Sequence, residues 1–115
     1  MYETLTHYIH FITYFSQLSK SIDYNDLVHR DGLYYDKFTD EPFTGYVSGN
    51  HYNGHLKDGK FEGEWLFFYD NGQLYWRCNY KDGKKVGRHY SYREDGKLEK
   101  TEIWKGDTLI DTIKH

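Results

Sequence analysis

Residues 56–79 read LKDGKFEGEWLFFYDNGQLYWRCN, and residues 80–103 read YKDGKKVGRHYSYREDGKLEKTEI. They are two copies of one 24-residue unit, joined without a gap. Asp58, Gly59 and Lys60 recur as Asp82, Gly83 and Lys84, Gly63 as Gly87, Phe68 as Tyr92, Gly72 as Gly96 and Leu74 as Leu98. Asn71-Gly72 and Asp95-Gly96 each lie between runs rich in aromatic and long apolar residues. Such a pair is the strongest short hairpin signal, because a type I′ turn needs φ > 0 at both central positions. Asp58-Gly59 and Asp82-Gly83 repeat this chemistry half a unit away, so successive hairpins are expected to join through tight turns too. Parallel strands need crossovers of about a dozen residues or more, for which this spacing leaves no room. The prediction is a mainly β fold, an antiparallel meander of tandem β-hairpins with an N-terminal amphipathic helix. Gly59, Gly63, Asn71, Gly72, Gly83, Gly87 and Gly96 mark the turns, and each unit leans on the next.

At 115 residues the chain is expected to form one domain that buries roughly two-thirds of its unfolded surface. Aromatics make up 20% of it, so ring faces must supply packing that aliphatic side chains supply elsewhere. A single-layer sheet with rings stacked along both sides fits this composition. The net charge of −3, with interleaved signs, leaves no basic footprint for nucleic acid. Cys78 is the sole cysteine, which excludes an intrachain disulfide or a cysteine-built metal site. It reads as a small, half-buried strand residue.

Residues 1–22 lack glycine and carry Leu5, Ile9, Ile12, Phe15, Leu18 and Ile22 at steps of three or four. That apolar stripe has the helical period, with Thr4 or Thr6 able to cap its start. As a signal peptide the segment has Glu3 where a basic region is expected, and His7 and His10 interrupt its apolar stretch. It is too short and too polar to span a membrane. A helix that caps an edge or face of the sheet is the better reading, and it points to the cytoplasm. Export would require residues 1–22 to act as a signal or anchor.

Residues 23–31 read as a connection, and residues 32–112 as the hairpin domain, with units at about 32–55, 56–79 and 80–103 and a closing strand at 104–112. In the shortened first unit Phe43, Thr44 and Gly45 resemble Phe61, Glu62 and Gly63. Pro42 cannot donate to a ladder and belongs in a turn or at an edge, while Gly49 and Gly54 should loosen the stretch. Lys114 and His115 are expected to fray.

Gly63, Trp65, Tyr69, Asn71, Gly72 and Leu74 form the pattern GxWxxxYxNGxL, followed by Tyr80, Lys81, Asp82, Gly83 and Lys84. This resembles the MORN-repeat variant of bacterial proteins labelled YwqK-type antitoxins, and the lead-in DGLYYDKFTDEPFTG is similar to the stretch that precedes those repeats. The resemblance covers roughly residues 27–107. It implies a β-hairpin array that acts by binding, with a toxin as the partner protein of a toxin–antitoxin system. The second copy departs from the pattern at His89 and Arg93, in place of Trp65 and Tyr69, so its hairpin should pack less well.

Reactive chemistry finds little support. His7 and His10, or His51 and His55, lie three and four apart without the Glu or Cys that zinc signatures carry, so no metal or cofactor is expected. Cys78 could be activated only by a base such as His89, and no catalytic residue is assigned. Ser48-Gly49 lacks a nucleophile elbow, and the Asp-Gly-Lys turns lack a phosphate-cradling loop and helix. The chain therefore reads as a non-catalytic interaction module. With a two-residue turn at Asn71-Gly72, Tyr69 faces Leu74, Phe67 faces Trp76 and Trp65 faces Cys78 on one side, while Phe68 sits by Tyr75 on the other. The equivalent side of the second hairpin sets Arg93, Ser91 and His89 opposite Leu98, Lys100 and Glu102. Trp65, Phe67, Tyr69, Leu74 and Trp76 are thus the expected partner-binding patch, unless the N-terminal helix covers it.

Two other roles compete. MORN-type repeats are associated with lipid headgroups, which suggests a membrane-surface or envelope protein, but the chain has no basic cluster. An end-cap or fragment of a longer array, self-associating through its open sheet edge, is the other, since stacks need about three repeats.

Overall fold

Turn chemistry divides the Asx-Gly corners into two kinds. At Asp31-Gly32, Asp58-Gly59 and Asp82-Gly83 both residues have positive φ, and the flanking residues pair directly, Arg30 with Leu33, Lys57 with Lys60 and Lys81 with Lys84. These are two-residue type I′ turns. At Asn71-Gly72 only the glycine is left-handed, with φ 86°. The Tyr69 C=O accepts from Gly72 N–H at 2.9 Å, and Tyr69 N–H donates to Gln73 C=O at 2.8 Å. Arg93, Gly96 and Lys97 repeat both bonds at 2.9 Å. Asp70 and Glu94 thus add a third loop residue, giving a type I turn closed by a left-handed glycine in place of the expected type I′. Asn71 Oδ1 accepts from Gln73 N–H at 2.9 Å and Asp95 Oδ1 from Lys97 N–H at 3.0 Å, which holds both loops.

The extra residue changes the pairing near the loop. Leu74 faces Phe68 and Leu98 faces Tyr92, not Tyr69 and Arg93, and Tyr75 and Glu99 become bulged residues. Beyond the bulge Phe67 faces Trp76, Trp65 faces Cys78, Ser91 faces Lys100 and His89 faces Glu102, as the sequence predicts.

The structure is a computed structural model that describes residues 20–115, and over these the chain is mainly β in largely antiparallel sheets. The strands are β1 (Ser21–Asp23), β2 (Leu27–Arg30), β3 (Leu33–Asp36), β4 (Glu41–Pro42), β5 (Gly45–Ser48), β6 (Tyr52–Lys57), β7 (Lys60–Phe68), β8 (Leu74–Lys81), β9 (Lys84–Lys85), β10 (Gly87–Tyr92), β11 (Leu98–Lys105) and β12 (Thr108–Lys114). The larger sheet runs β1-β5-β6-β7-β8-β10-β11-β12, with β9 on β8, and β2-β3-β4 form a smaller one. The expected helix falls mostly on residues 1–19, outside the described residues, but Ser21 and Ile22 belong to a strand. The stretch 23–31 is likewise no bare connection: it holds a 3-10 turn at Tyr24–Asp26 and β2. Gly63 and Gly87 are not corners either. Gly63 lies inside β7 and Gly87 opens β10, both with positive φ, where they kink their strands.

One pairing is parallel, Ser21, Ile22 and Asp23 against Tyr46, Val47 and Ser48. The crossover it needs is supplied by the small sheet instead of a helix, an arrangement invisible to turn spacing. That crossover brings Leu27 of β2 and Tyr34 of β3 against a core of Phe43, Val47, Leu56 and Trp65, so here the fold has two layers, not one. Gly54 tightens this region: a Cβ there would collide with the Trp65 indole. At the far end β12 replaces the closing strand expected at 104–112, Trp104 belongs to β11, and the tail is tied down, with His115 N–H donating to Glu99 C=O at 2.8 Å.

The turns at Asp58-Gly59, Asp82-Gly83 and Gly106-Asp107 are tied back into the sheet. Gly59 N–H donates to Phe43 C=O and Gly83 N–H to Phe61 C=O, both at 2.9 Å, and Asp107 N–H to Lys85 C=O at 3.0 Å. Each turn tip is thereby fastened to an earlier part of the chain.

Candidate functional site

Cross-strand pairing of rings on one face of the large sheet produces a continuous aromatic row. Tyr24 stacks on Tyr52 at 4.2 Å between centroids, Tyr52 meets Phe67 edge-on at 5.2 Å, and Phe67 meets Trp76 edge-on at 6.0 Å. Trp76 then stacks on Tyr75 at 5.2 Å, and Tyr75 leans on Tyr69 at 4.8 Å. The bulge at Tyr75 makes the last two contacts, because it breaks the strict alternation that would send neighbouring side chains to opposite faces.

These rings are held before any ligand arrives. The Trp76 indole N–H donates to Ser91 Oγ at 2.6 Å, and the Tyr69 hydroxyl donates to Tyr92 C=O at 2.7 Å, tying the first hairpin to the second. A groove of about 400 Å³ opens beside them, lined by Asn50, His51, Tyr52, Phe67, Tyr75 and Trp76 and reaching Phe68. His51 Nε2 lies 3.3 Å from the Asp70 carboxylate at its rim. Phe68 is shared with an adjoining hollow lined by Tyr69, Asp70, Asn71 and Glu94.

Of the five residues singled out from sequence, Phe67 and Trp76 line this groove. Tyr69 joins the row through Tyr75, and Leu74 sits at the foot of the loop opposite Phe68. Trp65 is not available to a partner: it is 0% exposed, with its indole N–H donating to His55 C=O at 2.8 Å and Phe61 stacked at 3.9 Å. It is a core residue, because Phe61 and Gly54 cover it, with Tyr34 of the small sheet stacked on the far side of Phe61. Sequence reasoning missed Tyr52 and Tyr75. The signal for Tyr75 was the three-residue loop, whose extra residue demands a bulge on one strand.

Cys78 and His89 are shielded. Cys78 is 1% exposed, and burial pushes its thiol up to about 12, so it stays protonated at neutral pH. His89, at 2% exposure, takes the place that Trp65 holds in the first copy. Its Nε2 lies 2.9 Å from Asn79 C=O and 3.3 Å from Asn79 N, and burial lowers its pKa. Among the described residues no three His, Cys, Asp or Glu side chains are grouped to hold a metal ion, and no helix is long and apolar enough to cross a membrane. Comparison with protein-family models, with curated proteins and with solved structures finds no match to this chain.

Proposed function

We propose that the chain is a non-catalytic binding module, a tandem array of hairpin units of the MORN type that holds a protein partner against its aromatic row. The observation that carries this reading is the state of Tyr52, Phe67, Tyr75 and Trp76: open to a groove, yet fixed by stacking and by the Trp76–Ser91 bond. Aromatic anchors set in advance lose little side-chain entropy on binding and dominate interface energies. The resemblance to YwqK-type antitoxins supplies the class of partner, a toxin. Co-expression with the product of a neighbouring reading frame tests it: wild type should rescue growth, and Trp76→Ala should fail to rescue while still melting cooperatively. Rescue by a folded Trp76→Ala variant would remove the row as the contact surface.

The far edge favours a second reading, self-association. β12 is the last strand of the large sheet, and Leu109, Ile110 and Ile113 on it are 45%, 57% and 42% exposed. Light scattering after size exclusion decides, since a monomer at every concentration excludes this role.

A further inference from the structure

The chemistry of the groove narrows what the proposed contact surface takes, and the inference rests on that reading. We propose that the groove of His51, Tyr52, Phe67, Tyr75 and Trp76 receives an alkylammonium group, presented by the protein partner as a lysine side chain with or without N-methyl groups. Three features of the site converge on this. First, the planes of Tyr52 and Trp76 stand at 86° and 77° to that of Phe67, so a small group seated at Phe67 meets rings in more than one orientation. A cation within about 6 Å of a ring centroid is attracted by the ring quadrupole, most strongly by Trp, and several rings around one ammonium add their attraction.

Second, the rim of the groove at His51 carries carboxylates. Asp70 stands at the rim next to His51, and the adjoining hollow adds Glu94. Carboxylates next to aromatic faces complement a cation and repel phosphate or carboxylate ligands. Third, rings of this fold already take cations from within the chain: Arg30 over Tyr35 at 3.9 Å, Arg77 over Tyr90 at 4.5 Å and Lys85 over Trp104 at 4.4 Å. Lys85 Nζ lies 5.6 Å from the Trp76 centroid and closer, at 4.4 Å, to Trp104, so an incoming ammonium at Trp76 competes with a lysine whose nearer ring is Trp104. The stacking of Tyr24 on Tyr52 and the bond from Trp76 to Ser91 keep the walls in place when the groove is empty.

The test uses the full chain, titrated at constant ionic strength with tetramethylammonium chloride and, in parallel, with the neutral isostere tert-butanol. Amide shifts are read by NMR and indole emission by fluorescence. Saturable shifts confined to residues 50–52, 67–70 and 75–76 are expected, with the neutral isostere roughly fivefold weaker or more, as ring–cation attraction requires. Asp70→Asn lies on a fully exposed side chain, so its melting temperature should stay unchanged while binding weakens about twofold or more. A trimethyl-lysine peptide should bind more tightly than phosphatidylcholine vesicles. Equal response to the neutral isostere, an unchanged Asp70→Asn titration, or preference for the vesicles overturns the proposal. If tetramethylammonium fails to bind while Trp76→Ala still abolishes rescue, ammonium recognition falls and the contact surface stands. Rescue by folded Trp76→Ala removes the surface itself.

Discussion

Trp65 and His89 stand 24 positions apart, and a ring nitrogen of each meets a carbonyl of the neighbouring strand, His55 C=O at 2.8 Å for one and Asn79 C=O at 2.9 Å for the other. His55 and Asn79 are themselves 24 positions apart. What looks in sequence like the loss of a pattern residue is a substitution that keeps a ring nitrogen at the neighbouring carbonyl and exchanges the ring.

Trp65→Phe should therefore cost more than its lost area. It keeps a ring over Gly54 but leaves the His55 carbonyl without its donor, a penalty of about 1–3 kcal/mol. Trp65→Ala adds a cavity and should cost about 3–5 kcal/mol. Urea denaturation at fixed pH measures both, and a Trp65→Phe variant as stable as wild type would show that the bond contributes nothing.

Gly54→Ala tests the close approach from the other side. The added methyl meets the indole of Trp65, which is boxed in by Phe61 and cannot retreat freely. Overpacking of this kind costs roughly 1–3 kcal/mol, and the emission of Trp65 should change with it. A neutral melting temperature would mean that β6 shifts to make room.

Alkaline pH should destabilise the fold through Cys78. Its thiol is raised from 9.0 to about 12 by burial, so the unfolded chain releases this proton first. The contribution is whole below about pH 9 and falls as pH rises toward 12. Tyr24, raised from 10.0 to about 12 by burial, acts in the same direction. Cys78→Ala should flatten the melting curve against pH in this window, and thiol reagents at pH 8 should label wild type only as fast as it opens.

Acid acts through His89 with the opposite sign. Burial lowers its pKa, so the unfolded chain binds the proton first and stability is lost as pH drops below the ordinary histidine value of about 6.5. His89→Gln should weaken the dependence of melting temperature on pH below the ordinary histidine value of about 6.5. An unchanged slope would assign the acid sensitivity elsewhere.

The β class and the pairs Phe67–Trp76 and Trp65–Cys78 were legible because turn chemistry and strand alternation are local. The loops at Asn71-Gly72 and Asp95-Gly96 misled, since Asx-Gly serves two-residue and three-residue connections alike and only Asp70 and Glu94 decide between them. The parallel β1–β5 pair had no short-range signal at all, and Leu27 lies in the stretch 23–31 that reads as a connection until Val47 and Leu56 are brought against it. For the same reason the patch was read with Trp65 inside it and Tyr52 and Tyr75 outside. Periodicity tells which side chains share a face, not what lies over that face.

The β1–β5 pairing has a kinetic consequence. From β5 onward nearly every neighbour in the large sheet is also next in the chain, so those strands can zip one after another at small entropic cost. Joining Ser21 to Tyr46 must wait until the whole of β2, β3 and β4 has been gathered between them. The corner of the sheet at β1 is accordingly the last to assemble and the first whose amides exchange with solvent, an order set by wiring and not by local sequence.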